Sequence, residues 1–148
     1  MNYINEMKLS FSAKSVNESF ARTAIAAFIL PLDPTIGELT EIKTAISEAV
    51  TNCIVHGYRH EEGTIYIDAK ISDNGKLTVK VRDKGFGITD VKSAMEPLFT
   101  TGGEEQAGLG FTVMQNFMDK VSVRSKPMKG TVVTMEKYIV RHLKNDRA

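Results

Sequence analysis

The sequence has no tryptophan, one cysteine, four prolines in 148 residues and no excess of either charge. Each shortage excludes something. A single cysteine, Cys53, rules out an internal disulfide and suits a reducing cytoplasm. Within a helical pattern it reads as a small buried hydrophobe. Nineteen basic against 18 acidic side chains leave a net charge of +1, which gives no electrostatic footprint for nucleic acid or an anionic membrane. The longest wholly apolar run, Ala24 to Leu30, covers seven residues and stops at Pro31. A membrane-spanning helix needs roughly 20. The first residues lack a basic stretch leading into an apolar one, so secretion is not expected. There is no Walker A sequence, no kinase-type glycine-rich loop with its strand lysine, and no Cys/His metal cluster.

What is present has the makings of one ordinary domain over residues 1–148, with 42% hydrophobic and 25% charged residues. Met7, Leu9, Phe11 and Ala13 alternate with polar residues and predict a first strand. Ser15 to Glu18 reads as a capping box, opening a helix with Phe20, Ala24, Ala27 and Phe28 at helical spacing. Thr35 to Glu38 repeats the start signal for a second helix, striped by Leu39, Ile42, Ile46, Ala49 and Cys53 and ending near Gly57. Ile65, Ile67, Ala69 and Ile71 predict a strand. A turn at Asp73-Asn74-Gly75 and a return strand, Leu77 to Asp83, follow. A short helix near Val91 to Met95, a longer one over Gly108 to Met118, and strands around Val121 and from Thr131 to Tyr138 complete the chain. The predicted class is α+β: a two-layer α/β sandwich, its sheet mixed but mostly antiparallel, with helices on one face.

Four places could carry chemistry. Asp83 stands in phase with Leu77, Val79 and Val81, so it points into the core or, as a plain alternative, forms a turn at the strand end. A buried carboxylate needs a partner, and an exocyclic amine such as that of adenine is one. Gly85 and Gly87 follow, either as turn glycines or to let a ligand approach closely. Glu48 and Asn52 share one helix face, with His56 a turn later. This is either a solvated polar stripe or a pair suited to magnesium chemistry, with the amide as metal ligand and the carboxylate as proton acceptor. Gly108-Leu109-Gly110 opens a helix, where free N–H groups suit phosphate. Between the glycine pairs, residues 97–107 form a surface loop or a lid, with Thr100 and Thr101 offering hydroxyls.

The combination Glu48-xxx-Asn52, Asp83-x-Gly85-x-Gly87, Gly108-x-Gly110 and Gly130-Thr131 resembles the ATP-binding domain shared by gyrase, heat-shock chaperones, histidine kinases and MutL, the Bergerat or GHKL fold. Closer still, Phe11-Ser-Ala, the run from Asn17 to Arg22, that from Ser47 to Asn52, His56-Gly-Tyr58 and the run from Pro97 to Thr101 resemble the anti-sigma F factor family of endospore-forming bacteria. This likeness covers nearly the whole chain. It implies a cytoplasmic homodimer that binds ATP and magnesium, holds a sporulation sigma factor F inactive, and acts as a protein-serine kinase on an anti-anti-sigma factor. It implies no direct contact with nucleic acid or membrane. On matching positions it implies Glu48 as general base, Asn52 as magnesium ligand and Asp83 as the adenine-recognising group. Gly87 and Thr131 would assist Asp83, and Gly85 would also lie in the ATP site. Thr100, Thr101, Gly108, Leu109 and Gly110 would lie around the phosphates, and Arg22 in the partner-binding surface. Family lids often carry basic residues, whereas residues 97–110 here hold Glu104 and Glu105 and no Lys or Arg, so magnesium, backbone N–H groups and hydroxyls, or a basic group outside the lid, would have to meet the phosphate charge. Two alternatives stay open: a binding module that uses the nucleotide only to fix its shape, and a detached histidine-kinase domain. The latter needs an acceptor histidine beyond the three present, His56, His60 and His142.

Overall fold

Alternating apolar and polar residues become strands where the sequence predicts them. The computed structural model describes residues 2–95 and 103–139, with the backbone alone over 103–108. The strands are β1 (Tyr3–Ser12), β2 (Thr64–Ser72), β3 (Lys76–Asp83), β4 (Lys120–Lys126) and β5 (Gly130–Tyr138). They form one sheet in the order β1-β2-β3-β5-β4. Each of its four pairings is antiparallel, so nothing of the expected mixed character remains. Ile65, Ile67, Ala69 and Ile71 on β2 and Leu77, Val79 and Val81 on β3 are buried, while Lys80 and Arg82 lie exposed on the other face. The inward row of β3 ends with Asp83, paired in register with Thr131 of β5.

The helices are α1 (Asn17–Ile29), α2 (Ile36–Asn52), α3 (Val91–Ala94) and α4 (Gly103–Phe117). At the start of α2 the capping box forms as predicted: the Glu38 N–H donates to Thr35 Oγ1 at 3.0 Å, and the Thr35 N–H donates to Glu38 Oε1 at 2.9 Å. The box expected at Ser15 does not form. Val16 holds the cap position of α1 without a side-chain bond, Asn17 donates back to the Ser12 carbonyl at 2.8 Å, and the Glu18 carboxylate is taken by the Thr51 hydroxyl of α2. The buried stripe of α1 also differs from the expected one. It runs through Ala21, Ile25 and Ile29; Ala24 and Phe28 are half-buried, Ala27 is exposed, and Phe20 lies exposed with its ring edge-on to Phe11 at 5.9 Å. α4 begins at Gly103, five residues earlier than expected. Glu104, Gln106 and Ala107 are good helix formers that extend it backwards.

Candidate functional site

Asp83 is buried, 4% exposed, and the fold surrounds its carboxylate with donors. The Gly85 N–H donates to Oδ1 at 2.9 Å. The Cys53 thiol and the Thr131 N–H lie close enough to favour its charged form. Burial pushes the Asp83 carboxyl above its ordinary value, and these neighbours only partly offset it, the Gly85 N–H most. Backbone crowds in from Gly57 and Gly85. A Cβ on Gly85 would stand 1.9 Å from the Gly57 carbonyl oxygen, and one on Gly57 would stand 2.7 Å from the Asp83 carboxylate. The Phe86 N–H closes this contact by donating to the Gly57 carbonyl at 2.8 Å.

Gly57 ends a wide turn that continues α2. Over Cys53–Gly57 the helix loosens into a π-turn, and the Tyr58 N–H reaches back to the Cys53 carbonyl at 2.8 Å. Tyr58 fastens this turn to the sheet: its hydroxyl donates to the Thr64 carbonyl at 2.5 Å and accepts from the Lys84 N–H at 2.8 Å. Cys53 is buried as expected, and it also lines the cavity near Asp83. Burial, and then the Asp83 charge, push the thiol well above its ordinary range.

Glu48 and Asn52 lie one turn apart on α2, and α4 packs Gly110 against both. A Cβ on Gly110 would come 3.1 Å from Glu48 Oε2 and 3.3 Å from each polar atom of the Asn52 amide. Burial, with the Glu18 charge adding to it, raises the Glu48 carboxyl above its ordinary value. Among the described residues, Asn52 Nδ2 is the one buried side-chain polar atom without a partner. An unpaired buried donor costs about 1–3 kcal/mol, so Asn52 is poised to gain from a polar ligand.

A cavity of about 740 Å³ joins these parts, a volume within the ~300–1,000 Å³ common for small-molecule sites. Asn52, Asp83, Gly87 and Thr131 all line it, as do Cys53, His56, Arg59, His60, Asp90 and Phe111. Gly87 adopts φ +76° where a Cβ would meet the Lys126 carbonyl at 2.1 Å, so only glycine fits that wall. Gly85 lies behind the wall, against Gly57. Glu48 stands one turn back from Asn52, beside the cavity rather than on its lining. Gly108 and Gly110 sit within α4 and not at its start, so the free N–H groups expected of Gly108 belong to the turn beginning at Gly103. Leu109 is exposed. Thr100 and Thr101 lie outside the described residues. Arg22 is tied to α2, donating to Ser47 Oγ at 2.8 Å.

Three contributors had no local signal. Ser125 of β4 accepts from the Ile88 N–H at 2.7 Å and meets Thr131 Oγ1 at 2.9 Å, which joins the wall after Asp83 to β5. Only the pairing of Ser125 with Thr131 reveals it. Arg59 is the one Lys or Arg among the described lining residues, with its guanidinium 3.9 Å from the Phe86 ring centroid. Cys53 reaches the cavity wall at the start of a π-turn that no periodicity announces. Among the described residues, no group of three or more His, Cys, Asp or Glu side chains could hold a metal, and no helix is long and apolar enough to cross a membrane.

Comparison with known proteins agrees with the fold. The family model described as "Histidine kinase-like ATPase domain" matches residues 11–137. The chain is 61% identical to the anti-sigma F factor of a Thermoanaerobacter species, over 94% of this chain and 97% of that protein. It is 55% identical to the anti-sigma F factor of Halalkalibacterium halodurans, over 93% and 94%, and 54% identical to that of Bacillus subtilis, over 91% and 93%. Among solved structures, the histidine kinase domain of an Erythrobacter litoralis blue-light activated kinase superposes with a TM-score of 0.55 at 16% identity, covering 86% of this chain and 63% of that one. That likeness speaks to the fold alone.

Proposed function

The chain belongs to the anti-sigma F factor family of histidine kinase-like ATPase domains, and from that premise we propose a nucleotide-dependent inhibitor of sporulation sigma factor F that also phosphorylates a serine of an anti-anti-sigma factor. The observation that carries this reading is the cavity that unites buried Asp83, held by the Gly85 N–H, with Asn52, whose buried Nδ2 donor lacks an acceptor. Asp83 accepts a hydrogen bond from the adenine amine. Asn52 fits a magnesium ion that keeps its waters and phosphate oxygens, a hard cation satisfied by a neutral amide oxygen. Magnesium, when bound, neutralises charge on the triphosphate. With no Lys or Arg in residues 97–110, Arg59 and the histidines are the basic groups among the described lining residues that can share that task.

Glu48 serves the transfer. As the serine oxygen bonds to the γ-phosphorus and the bond to the ADP oxygen breaks, the serine proton passes to the Glu48 carboxylate. Its raised pKa makes it a better proton acceptor than an exposed glutamate. The chain acts as one cytoplasmic domain, paired as a homodimer, with Arg22 in the surface that meets both protein partners.

Incubation of the anti-anti-sigma protein with the chain and Mg-ATP should add one phosphate, stable to acid, as read by mass spectrometry. Glu48→Gln should abolish that mass shift and leave ATP affinity intact. A wild-type protein that binds ATP and gives no shift leaves only the nucleotide-gated binding module. A shift lost in acid points to phosphohistidine instead.

A further inference from the structure

A net charge of +1 hides where the charges stand. On the sheet face turned away from the core, the register sets Lys8, Asp68 and Lys80 in one row. In the next row toward the Asp83 end, Tyr66 stands beside Arg82, with Val132 and then Arg124 beyond. Lys84 follows Asp83 out of β3, and Lys126 ends β4 opposite Gly130. These Lys and Arg side chains are all exposed, and Asp68 is the one carboxylate set among them. Among the described residues none of them forms an ion pair. The two ion pairs of the sheet, Lys70 with Glu6 and Lys76 with Glu136, lie farther along the strands, away from Asp83. Two of the cations gather at one ring: the Arg82 guanidinium carbon is 4.7 Å and Lys84 Nζ 5.0 Å from the Tyr66 centroid.

We propose that this end of the outward sheet face binds single-stranded nucleic acid, its cations meeting phosphates while Tyr66 and the Arg82 plane take a base. Clustering of Lys and Arg on one face, rather than the sum over the chain, is the electrostatic footprint of such binding. Five strands span about 19 Å between the outermost two, so unpaired like charges crowd one another and gain from a polyanion laid across them. The aromatic group at their centre suits a base, because bases stack on tyrosine rings and guanidinium planes without regard to sequence. A membrane surface fits less well. Interfacial binding needs large apolar side chains to insert, and half-buried Val132 is the one aliphatic side chain in these rows. A broad sheet face does not enter a duplex groove, which admits a helix or a two-stranded ribbon, so the strand must be single. Arg82 and Asp83 are neighbours on β3 and point to opposite faces. The polymer and the cavity ligand are therefore held at the same time.

The test is fluorescence anisotropy of an end-labelled oligouridylate of about 20 nucleotides, long enough for one such site, titrated with the whole chain at several salt concentrations. Binding with a Kd of roughly 1–100 μM at physiological salt is expected, weakening with salt at a log–log slope of about −0.7 for each phosphate met. Arg82→Glu combined with Arg124→Glu should weaken it at least about ten-fold and flatten the slope by about 1.4. Tyr66→Leu should weaken it about five-fold or more and leave the slope unchanged, since stacking releases no counterions. Mg-ATP affinity, read by calorimetry on the same samples, should stay within about two-fold in every variant, which shows that the fold is intact. No binding even at low salt, or binding indifferent to the charge reversals, would overturn the proposal. So would equal displacement of the oligonucleotide by polyglutamate together with an inert Tyr66→Leu, which would assign the face to an acidic protein. Tighter binding to phosphatidylglycerol vesicles than to the oligonucleotide would assign it to a membrane instead. None of these failures touches the reading of the cavity, which the calorimetry decides separately.

Discussion

Asp83 illustrates a side chain kept at a cost to stability. Its carboxyl is raised above 3.8 chiefly by burial, so the folded protein holds that proton more tightly than the unfolded chain does. The sign follows directly. Below pH 3.8 the group is protonated in both states and carries no penalty; as pH rises through the elevated folded-state value, ionisation in the buried seat lowers stability. Asp83→Asn should therefore raise the melting temperature of the ligand-free protein at pH 7, with the gain shrinking to nothing as pH falls below 4, roughly the ordinary carboxylate value. Scanning calorimetry across pH reads this; a variant less stable at neutral pH would show that the carboxylate supports the fold. The same substitution should weaken ATP by about 100-fold, the scale of a charge-assisted hydrogen bond lost in a buried site. Unchanged affinity would remove Asp83 from adenine recognition.

At the level of elements, the site depends on how the π-turn, the loop after β3 and the β4–β5 hairpin fit together. Gly85 has no room for a side chain, with the Gly57 carbonyl only 1.9 Å from where its Cβ would stand. Gly85→Ala should destabilise the protein by about 1–3 kcal/mol in denaturant unfolding, since backbone and not a mobile side chain must yield. Gly37→Ala is the counterpart. Gly37 lies in the first turn of α2 with only Thr35 Oγ1 near, at 3.9 Å, so alanine there should stabilise by up to about 0.5 kcal/mol. Such contrasts show which features could be read from sequence. The Thr35 box was legible because both of its bonds close within four residues, and β2 and β3 because period-two burial survives any neighbour. The Ser15 box has the same letters and fails because Thr51, distant in sequence, takes the Glu18 carboxylate. In α1 the bulk of Phe20 and Phe28 suggested the wrong stripe, displaced by one residue from Ala21, Ile25 and Ile29. At the site, Asp83, Asn52, Gly87 and Thr131 were readable as motif letters. Cys53, Ser125 and Arg59 were not, since each acts through a residue remote in sequence or through a turn without periodicity.

For the whole molecule, the question is how a nucleotide cavity can be felt by protein partners. α1 and α2 are joined by polar contacts as well as by core packing: Arg22 to Ser47, and Glu18 to Thr51. Ser47 and Thr51 each stand one residue from the proposed catalytic Glu48 and metal ligand Asn52. The proposed partner surface and the reacting groups thus share a wall. Arg22→Ala should leave ATP affinity within about two-fold, since the side chain makes its bond away from the cavity lining, and should loosen capture of both the sigma factor and the anti-anti-sigma protein in pull-downs. Full retention of both partners would place their docking elsewhere. One consequence concerns light. A chain without indole emits in the ultraviolet chiefly through its four phenols, and one of these, Tyr58, grips the first backbone amide after Asp83. The polypeptide thereby carries an intrinsic optical reporter beside its pocket, readable without dye or label.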